Sequence, residues 1–320
     1  MAADKTAQAF WPDSLKGRFM NIQWYPGHMT KAKRSMQNDV KLVDLVMELL
    51  DARAPHATEN PDIRKLCAGK KRLVLLNKAD LADRDVTGLW IRKFRGEGCE
   101  VVALDARRKD ALNLVRQAAD RLCAEKWERD AKRGLTGKRP LKALVCGIPN
   151  VGKSTFINSV MGKASAKTGN KPGVTKGNQW LTAGSGLMLL DTPGVLWPKF
   201  EDQEVGFCLA EIGAISDQVL LKEEIAMHLI AKLIKQYPGL LEKRYDITEE
   251  QLSEALSKEE TEVLGTNPKA LAFLSLIAKK RGCLKRGGAP DYTRGAALLV
   301  DDFRAGRLGA ISLERPDAAC

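Results

Sequence analysis

Short apolar runs recur along the first two thirds of the chain, and each delivers polar or loop-forming residues at its end. Val43–Leu50 runs into Asp51-Ala52-Arg53-Ala54-Pro55, Arg72–Leu76 into Asn77, and Glu100–Leu104 into Asp105. Leu141–Cys146 leads to Gly147, and Leu187–Leu190 to Asp191. The pattern predicts strands, although for Val43–Leu50 alone a helix is also open. Between the runs, residues 86–95, 109–127 and 153–162 predict helices. Such alternation predicts an α/β domain, a parallel sheet with helices on both faces. In such sheets ligand groups gather at the carboxyl ends of the strands, where all of these run ends fall.

Residues 127–140 are polar and basic, with Gly134, Gly137 and Pro140, and read as a connector. Beyond about residue 205 the strand signals stop. Glu223–Gln236 has helical spacing and ends before Pro238-Gly239. Thr248 and Gln251 form a capping box that opens another helix. Asn267-Pro268 is an N-cap followed by proline at the first helical position. Asp291 caps a last helix that ends near Gly306. The expected organisation is an α/β domain over 1–204 with an N-terminal extension, and a smaller all-helical domain over 205–320.

Charge adds a class of partner. The chain of 320 residues carries a formal net charge of +12, which favours a polyanion. The excess gathers at Lys31, Lys33 and Arg34, again between Lys126 and Lys142, and again between Lys279 and Arg307. Each cluster alone reads equally well as a solvated face; together they favour RNA or another polyanion. The 7 cysteines are scattered, with no Cys-x-x-Cys pair, which argues against a zinc site or a disulfide framework and fits a reducing compartment. No apolar run reaches the ~18 residues of a membrane span, and Met1–Phe10 lacks the apolar core of a signal peptide. The expected location is the bacterial cytoplasm.

The sharpest chemistry lies in the motifs. Gly147-Ile148-Pro149-Asn150-Val151-Gly152-Lys153-Ser154 is a G-x-x-x-x-G-K-S loop between a predicted strand and a predicted helix. Its backbone N–H groups can cradle phosphates, Lys153 neutralises them, and the Ser154 hydroxyl ligates Mg²⁺. Asp191-Thr192-Pro193-Gly194 follows at the end of a later strand; the aspartate can hold Mg²⁺, and the Gly194 N–H can sense the γ-phosphate. Thr175, in Lys171-Pro172-Gly173-Val174-Thr175, is a candidate second Mg²⁺ ligand; it also reads as an ordinary loop threonine. Upstream, Asn77-Lys78-Ala79-Asp80 is the signature of a guanine reader. An Asp80 carboxylate accepts two N–H bonds from guanine and finds no such pair on adenine. The Lys78 stem can lie over the nucleotide ring, and Asp105-Ala106 can offer a backbone N–H to guanine O6. The candidate nucleotide contacts are thus Asn77, Lys78, Ala79, Asp80, Asp105, Ala106, Asn150, Val151, Gly152, Lys153, Ser154, Thr155 and Gly194. In an ordinary GTPase the base reader follows the phosphate loop; here it precedes it.

At these residues the chain resembles the circularly permuted GTPases, specifically the YlqF/RbgA family of ribosome-biogenesis GTPases. Trp24-Tyr25-Pro26-Gly27-His28-Met29, Asp51-Ala52-Arg53-Ala54-Pro55, Asn77–Asp80, Gly147–Thr155, Lys171–Gly177 and Asp191–Gly194 carry the resemblance. It implies a circularly permuted P-loop GTPase domain that hydrolyses GTP to GDP. It further implies the large (50S) ribosomal subunit or its precursor as partner, with binding to rRNA. The family pattern Ser-Ala-Lys is replaced by Asp105-Ala106-Arg107, which leaves the support of that loop in question. Where many GTPases carry a water-orienting glutamine, this chain has Val195. Resemblance to GTPases with asparagine at position 150 suggests that Asn150 helps hold K⁺, which could supply a finger's electrostatic work; a loop-stabilising role is the plainer alternative. His28, in a segment that the resemblance ties to the nucleotide, is the candidate to orient water, beside Lys153 and Thr175 as catalytic residues. The alternative for Trp24–Met29 is docking on RNA or on the GTPase domain. His56 reads as exposed and His228 as structural.

These readings predict a monomeric, GTP-hydrolysing assembly factor that is slow until the ribosome completes its site. A GTP-gated RNA scaffold with incidental hydrolysis is the alternative. A permuted GTPase of the small subunit is weakened by the lack of a zinc-ligand cluster and of a preceding β-barrel. A metabolic kinase is weakened by the lack of a second-substrate pocket.

Overall fold

The computed structural model describes residues 36–134, 139–161, 179–183, 186–192, 194, 202–215, 221–257 and 267–316. His28, Lys31, Lys33, Arg34, Lys138, Thr175 and Val195 lie outside them.

The apolar runs form the strands of one sheet: β1 Leu45–Asp51, β2 Lys71–Asn77, β3 Glu100–Ala103, β4 Leu141–Cys146, β5 Gln179–Ala183 and β6 Leu187–Asp191. Their spatial order is β3-β2-β1-β4-β6-β5. Every residue of β1 is buried, as expected of a central parallel strand covered on both faces. The chain leaves β1 toward β2 and β3 on one side, and leaves β4 toward β6 and β5 on the other. The crevice between β1 and β4 is therefore the topological switch point, where ligands bind in such sheets.

The sheet departs from the expected all-parallel arrangement at one edge: β5 pairs antiparallel with β6. Only residues 184–186 separate these strands, too few for the crossover that a parallel pair requires. The alternation in Gln179–Ala183, with Leu181 and Ala183 buried, marks a half-buried edge strand.

The helices of this unit that matter here are α1 Pro55–Thr58, α2 Pro61–Leu66, α3 Arg84–Gly96, α4 Ala111–Leu122, α5 Ala124–Lys132 and α6 Lys153–Met161. The helix expected over 109–127 is two helices, broken at Cys123. α5 occupies the first part of the expected connector. It buries no residue, and its apolar line of Ala124, Trp127 and Ala131 is thin among charged neighbours, so its composition reads as a connector. α3 packs Val86, Trp90 and Phe94 onto Leu50, Val74, Leu76 and Val101, and Asp83 caps it by accepting from Asp85 N and Val86 N.

A second compact unit is built within residues 200–309, whereas the segment after Ala310 belongs with the sheet. The helical unit contains α7 Gln203–Glu211, α8 Lys222–Gln236, α9 Leu240–Tyr245, α10 Glu249–Ser257, α11 Pro268–Lys280 and α12 Tyr292–Arg304. The caps expected at Thr248, Asn267 and Asp291 are present. α11 and α12 cross so closely that a Cβ on Gly295 would stand 2.9 Å from that of Ala278. His228 is buried and structural as expected: Nδ1 lies 2.6 Å from Glu211 Oε1 and Nε2 lies 2.9 Å from Glu204 Oε2, with Phe207 stacked on the ring. With a carboxylate at each nitrogen, the imidazolium satisfies both. Burial opposes that charge, but Glu211 and Glu204 outweigh it and raise the His228 pKa.

Candidate nucleotide site

β1, β2, β4 and β6 end at one level, because the register pairs Asp51 with Asn77 and Val145 with Asp191. The phosphate loop leaves β4 there and enters α6 at Lys153. Its shape requires its glycines. Gly147 has φ +152°, and a Cβ would lie 2.7 Å from Leu49 O. Gly152 has φ +94°, and a Cβ would collide with Asn77 Nδ2. Asn150 adopts the left-handed region at φ 62°, which asparagine tolerates better than most residues. The loop is thus a backbone cradle at the head of a helix, as phosphate binding requires.

Lys153 and Asp191 are both buried, and Lys153 Nζ lies 2.6 Å from Asp191 Oδ1. A Mg²⁺–phosphate pair offers each its opposite charge: phosphate to the ammonium, cation to the carboxylate. Ser154, partly exposed at the same helix start, adds a hydroxyl oxygen. These hard oxygen donors suit Mg²⁺, which binds through few protein ligands and shares the nucleotide's phosphates. Among the described residues no group of three or more His, Cys, Asp or Glu could hold a metal. Gly194 approaches the loop closely; a Cβ there would lie 3.1 Å from Pro149 N. Thr192 Oγ1 donates to Val145 O at 2.8 Å and pins the motif to β4.

Asn77 ties the base side to the phosphate side. Its Nδ2 donates to Val151 O at 2.8 Å, and its Oδ1 accepts from Ala106 N at 2.9 Å. The Ala106 N–H, expected to serve guanine O6, is thus engaged with Asn77 in this structure. Lys78, at φ 58°, reaches Asn150 O at 3.0 Å and Asp51 Oδ2 at 2.8 Å. These contacts bring together residues some seventy positions apart in the chain, as the out-of-order motifs require.

The loop after β3 is supported without the family's serine. Asp105 Oδ1 accepts from Arg107 N at 2.9 Å and from Arg107 Nε at 2.8 Å. Hydrogen bonding from Arg107 lowers the Asp105 pKa. Arg107 also places Nη2 2.7 Å from Asp80 Oδ2.

Asp51 and Arg53, flagged in the sequence only by resemblance, form the buried foundation of the base side. Arg53 donates Nε to Asp51 Oδ1 at 2.9 Å and Nη2 to Oδ2 at 2.8 Å. Burial pushes the Asp51 carboxyl upward, but Arg53 and Lys78 outweigh it and hold it well below the usual carboxylate range. His56 is exposed as expected. Glu314, which nothing local in the sequence singles out, accepts from His56 N at 2.8 Å and from Ala57 N at 3.0 Å.

Comparison with known proteins agrees with this geometry. A family model described as "50S ribosome-binding GTPase" matches residues 142–267. Ribosome biogenesis GTPase A of Priestia megaterium is 39% identical, over 94% of this chain and 99% of its own length. The protein of that name in Bacillus licheniformis is 41% identical, over 93% and 99%. Among solved structures, a GDP-bound YlqF matches with a TM-score of 0.61 at 25% identity, covering 89% of this chain and all 100% of that one. The GNP-bound YlqF from T. maritima matches at 0.56 and 27% identity, covering 90% of this chain and 100% of its own. The glycine-bounded loop at the head of α6, joined through Asn77 to the Asn-Lys-x-Asp motif that precedes it in the chain, and these relatives along nearly the whole chain lead to one conclusion: the chain belongs to the ribosome biogenesis GTPase A family of circularly permuted GTPases.

Proposed function

We propose that this GTPase of ribosome biogenesis acts on the large (50S) subunit or its precursor, binds rRNA, and is stimulated to hydrolyse GTP by the ribosome. The observation that supports RNA binding is a basic surface on the helical unit. Lys279, Lys280 and Arg281 end α11, Lys285 and Arg286 lie in the following loop, and Arg294 lies in the first turn of α12; all are exposed. Not every basic residue of that cluster belongs to it. Arg304 is half-buried, donates to Ala210 O and Glu211 O and so caps α7, whereas Lys280 and Arg307, paired with Asp246 and Asp302, stay exposed. No described helix is long and apolar enough to cross a membrane.

In this reading Asp80 reads guanine, Lys153 holds the β and γ phosphates, and Ser154, Thr175 and Asp191 hold Mg²⁺. Asn150 contributes to a K⁺ site, and His28 orients the attacking water in place of the missing glutamine. The protein works as a monomer in the cytoplasm. Its test is co-sedimentation with separated ribosomal subunits and precursors, with a non-hydrolysable GTP analogue against GDP. Binding to the large subunit that depends on the nucleotide and falls steeply with salt is expected; no ribosomal binding in either state overturns the reading. The scaffold alternative separates by a variant that binds GTP without hydrolysing it: a scaffold still works, whereas an assembly factor stays on the particle.

A further inference from the structure

The segment that follows the helical unit packs within the unit of the sheet. Ile311, Ser312 and Leu313 are buried, and they lie between the base-reading loop and the turn after β1. Ile311 N donates to Leu81 O at 2.9 Å, and Leu313 N donates to Arg53 O at 2.7 Å. Ser312 Oγ, between them, accepts from Asp83 N at 3.2 Å. Glu314 closes the arrangement: its carboxylate takes the His56 and Ala57 amides, and its carbonyl accepts from Trp90 Nε1 at 3.2 Å. One short segment thus bonds to the chain just after Asp51 and just after Asp80.

The base-reading loop needs such support. Asn77 belongs to β2, but Lys78–Asp80 turn away from the sheet. Ala79 N donates to Leu104 O on one side, and Leu81 N only closes the turn onto Lys78 O. The Ile311 contact at Leu81 and the Ser312 contact at Asp83 hold the far end of that turn. Arg53, whose carbonyl receives Leu313, supplies the guanidinium that fixes Asp51, and Asp51 in turn holds Lys78. A hydrogen-bonded path therefore runs from Leu313 through Arg53 and Asp51 to the Lys78 side chain, while Ile311 and Ser312 hold the backbone that follows Asp80.

We propose that Ile311–Glu314 is a positioning clasp for the guanine-reading loop, so that the C-terminal segment sets base affinity and base selectivity. The proposal rests on the reading of Asp80 as the guanine reader. Selectivity is the sensitive readout, because a carboxylate bonded to guanine N1 and N2 loses its advantage once displaced by a fraction of an ångström.

The test is equilibrium titration of the full chain with fluorescent GDP and with the inosine analogue, which lacks the 2-amino group. Wild type, Asp80→Ala, Ser312→Ala, Glu314→Ala and Glu314→Gln are compared, with circular dichroism as a check on folding. Loss of one hydrogen bond to a charged group should make wild type prefer GDP by about tenfold or more, and Asp80→Ala should abolish the preference. Glu314→Ala should weaken GDP binding about fivefold and shrink the GDP-to-inosine ratio, with Glu314→Gln and Ser312→Ala in between. Wild-type affinity and ratio in all three clasp variants, or equal losses for both nucleotides, would overturn the clasp while Asp80 kept its role. If a glutamate variant fails to fold, Ser312→Ala carries the comparison. An unchanged ratio in Asp80→Ala overturns the reading of Asp80, and the clasp with it.

Discussion

Arg107 holds a guanidinium nitrogen 2.7 Å from the carboxylate of Asp80, the group assigned to read guanine. Guanidinium and the guanine edge present the same chemistry, planar N–H donors set for a carboxylate. The two therefore compete for one acceptor. Geometry and exposure decide how strongly. The Arg107 side chain is 65% exposed and that of Asp80 35%, and ion pairs of such exposure contribute about 0–1 kcal/mol. Arg107→Ala should accordingly raise GDP affinity by no more than about fivefold, seen as a lower dissociation constant for fluorescent GDP. A fall in affinity would show instead that Arg107 supports the loop through Asp105 more than it obstructs Asp80.

Lys153 and Asp191 pose the same question in a buried setting. Removing one partner of a buried pair leaves a charge uncompensated, at a cost of about 3–5 kcal/mol. Lys153→Ala should therefore lose nucleotide binding and also stability, measured by urea unfolding without nucleotide. Adding Asp191→Asn should restore most of the stability and none of the binding. If the double variant were no more stable than the single, the pair would not be the source of the loss.

What the sequence made legible follows from how local each feature is. The Gly147–Ser154 loop, Asn77–Asp80 and Asp191–Gly194 are contiguous motifs at strand ends, so the sequence already places them at one crevice of the sheet. Edge strand β5 was missed because its short alternating run lacks the continuous apolar character of the buried strands. The part of α5 beyond residue 127 reads as connector because its basic and acidic residues outweigh the thin apolar line of Ala124, Trp127 and Ala131. The substitution at Asp105 leaves the support of its loop open in the sequence, because side-chain identity alone does not give the contact; in the structure its carboxylate takes the Arg107 amide. Glu314 lies 258 positions from His56, and no window of sequence could join them.

Asp51 should be the most sensitive carboxylate of the base side. Asp51→Asn keeps the shape but leaves the buried Arg53 guanidinium without its counter-charge, at about 3 kcal/mol or more. Lys78 loses its anchor as well, so GDP affinity should fall together with the urea midpoint. The pH dependence has a definite sign. The folded carboxyl is depressed below its ordinary 3.8, so its stabilisation is complete above that value and is lost as pH falls through the lower folded one. The variant should lack this acid-induced loss; an acid limb identical to that of wild type would remove Asp51 as its cause.

The helical unit should respond to pH in the opposite direction. His228 gains its charge from Glu211 and Glu204, with Lys232 Nζ 2.6 Å from Glu204 Oε1 and 2.9 Å from Cys208 Sγ on the same side. The His228 pKa is raised above its ordinary 6.5, so its stabilisation is complete below that value and fades as pH rises through the folded one. Glu204 behaves inversely. Burial pushes it up, but His228 and Lys232 outweigh that and lower it to about 2, so its contribution holds above the ordinary 4.5 and is lost only as pH falls toward 2. Between those limits His228 and Glu204 are both charged. His228→Gln should therefore lower the thermal midpoint of the helical unit most near about pH 6 and progressively less toward about pH 9. The measurement is thermal unfolding of both proteins across that range. A gap that stayed constant would mean that packing against Phe207, rather than the charge on the imidazole, is what His228 contributes.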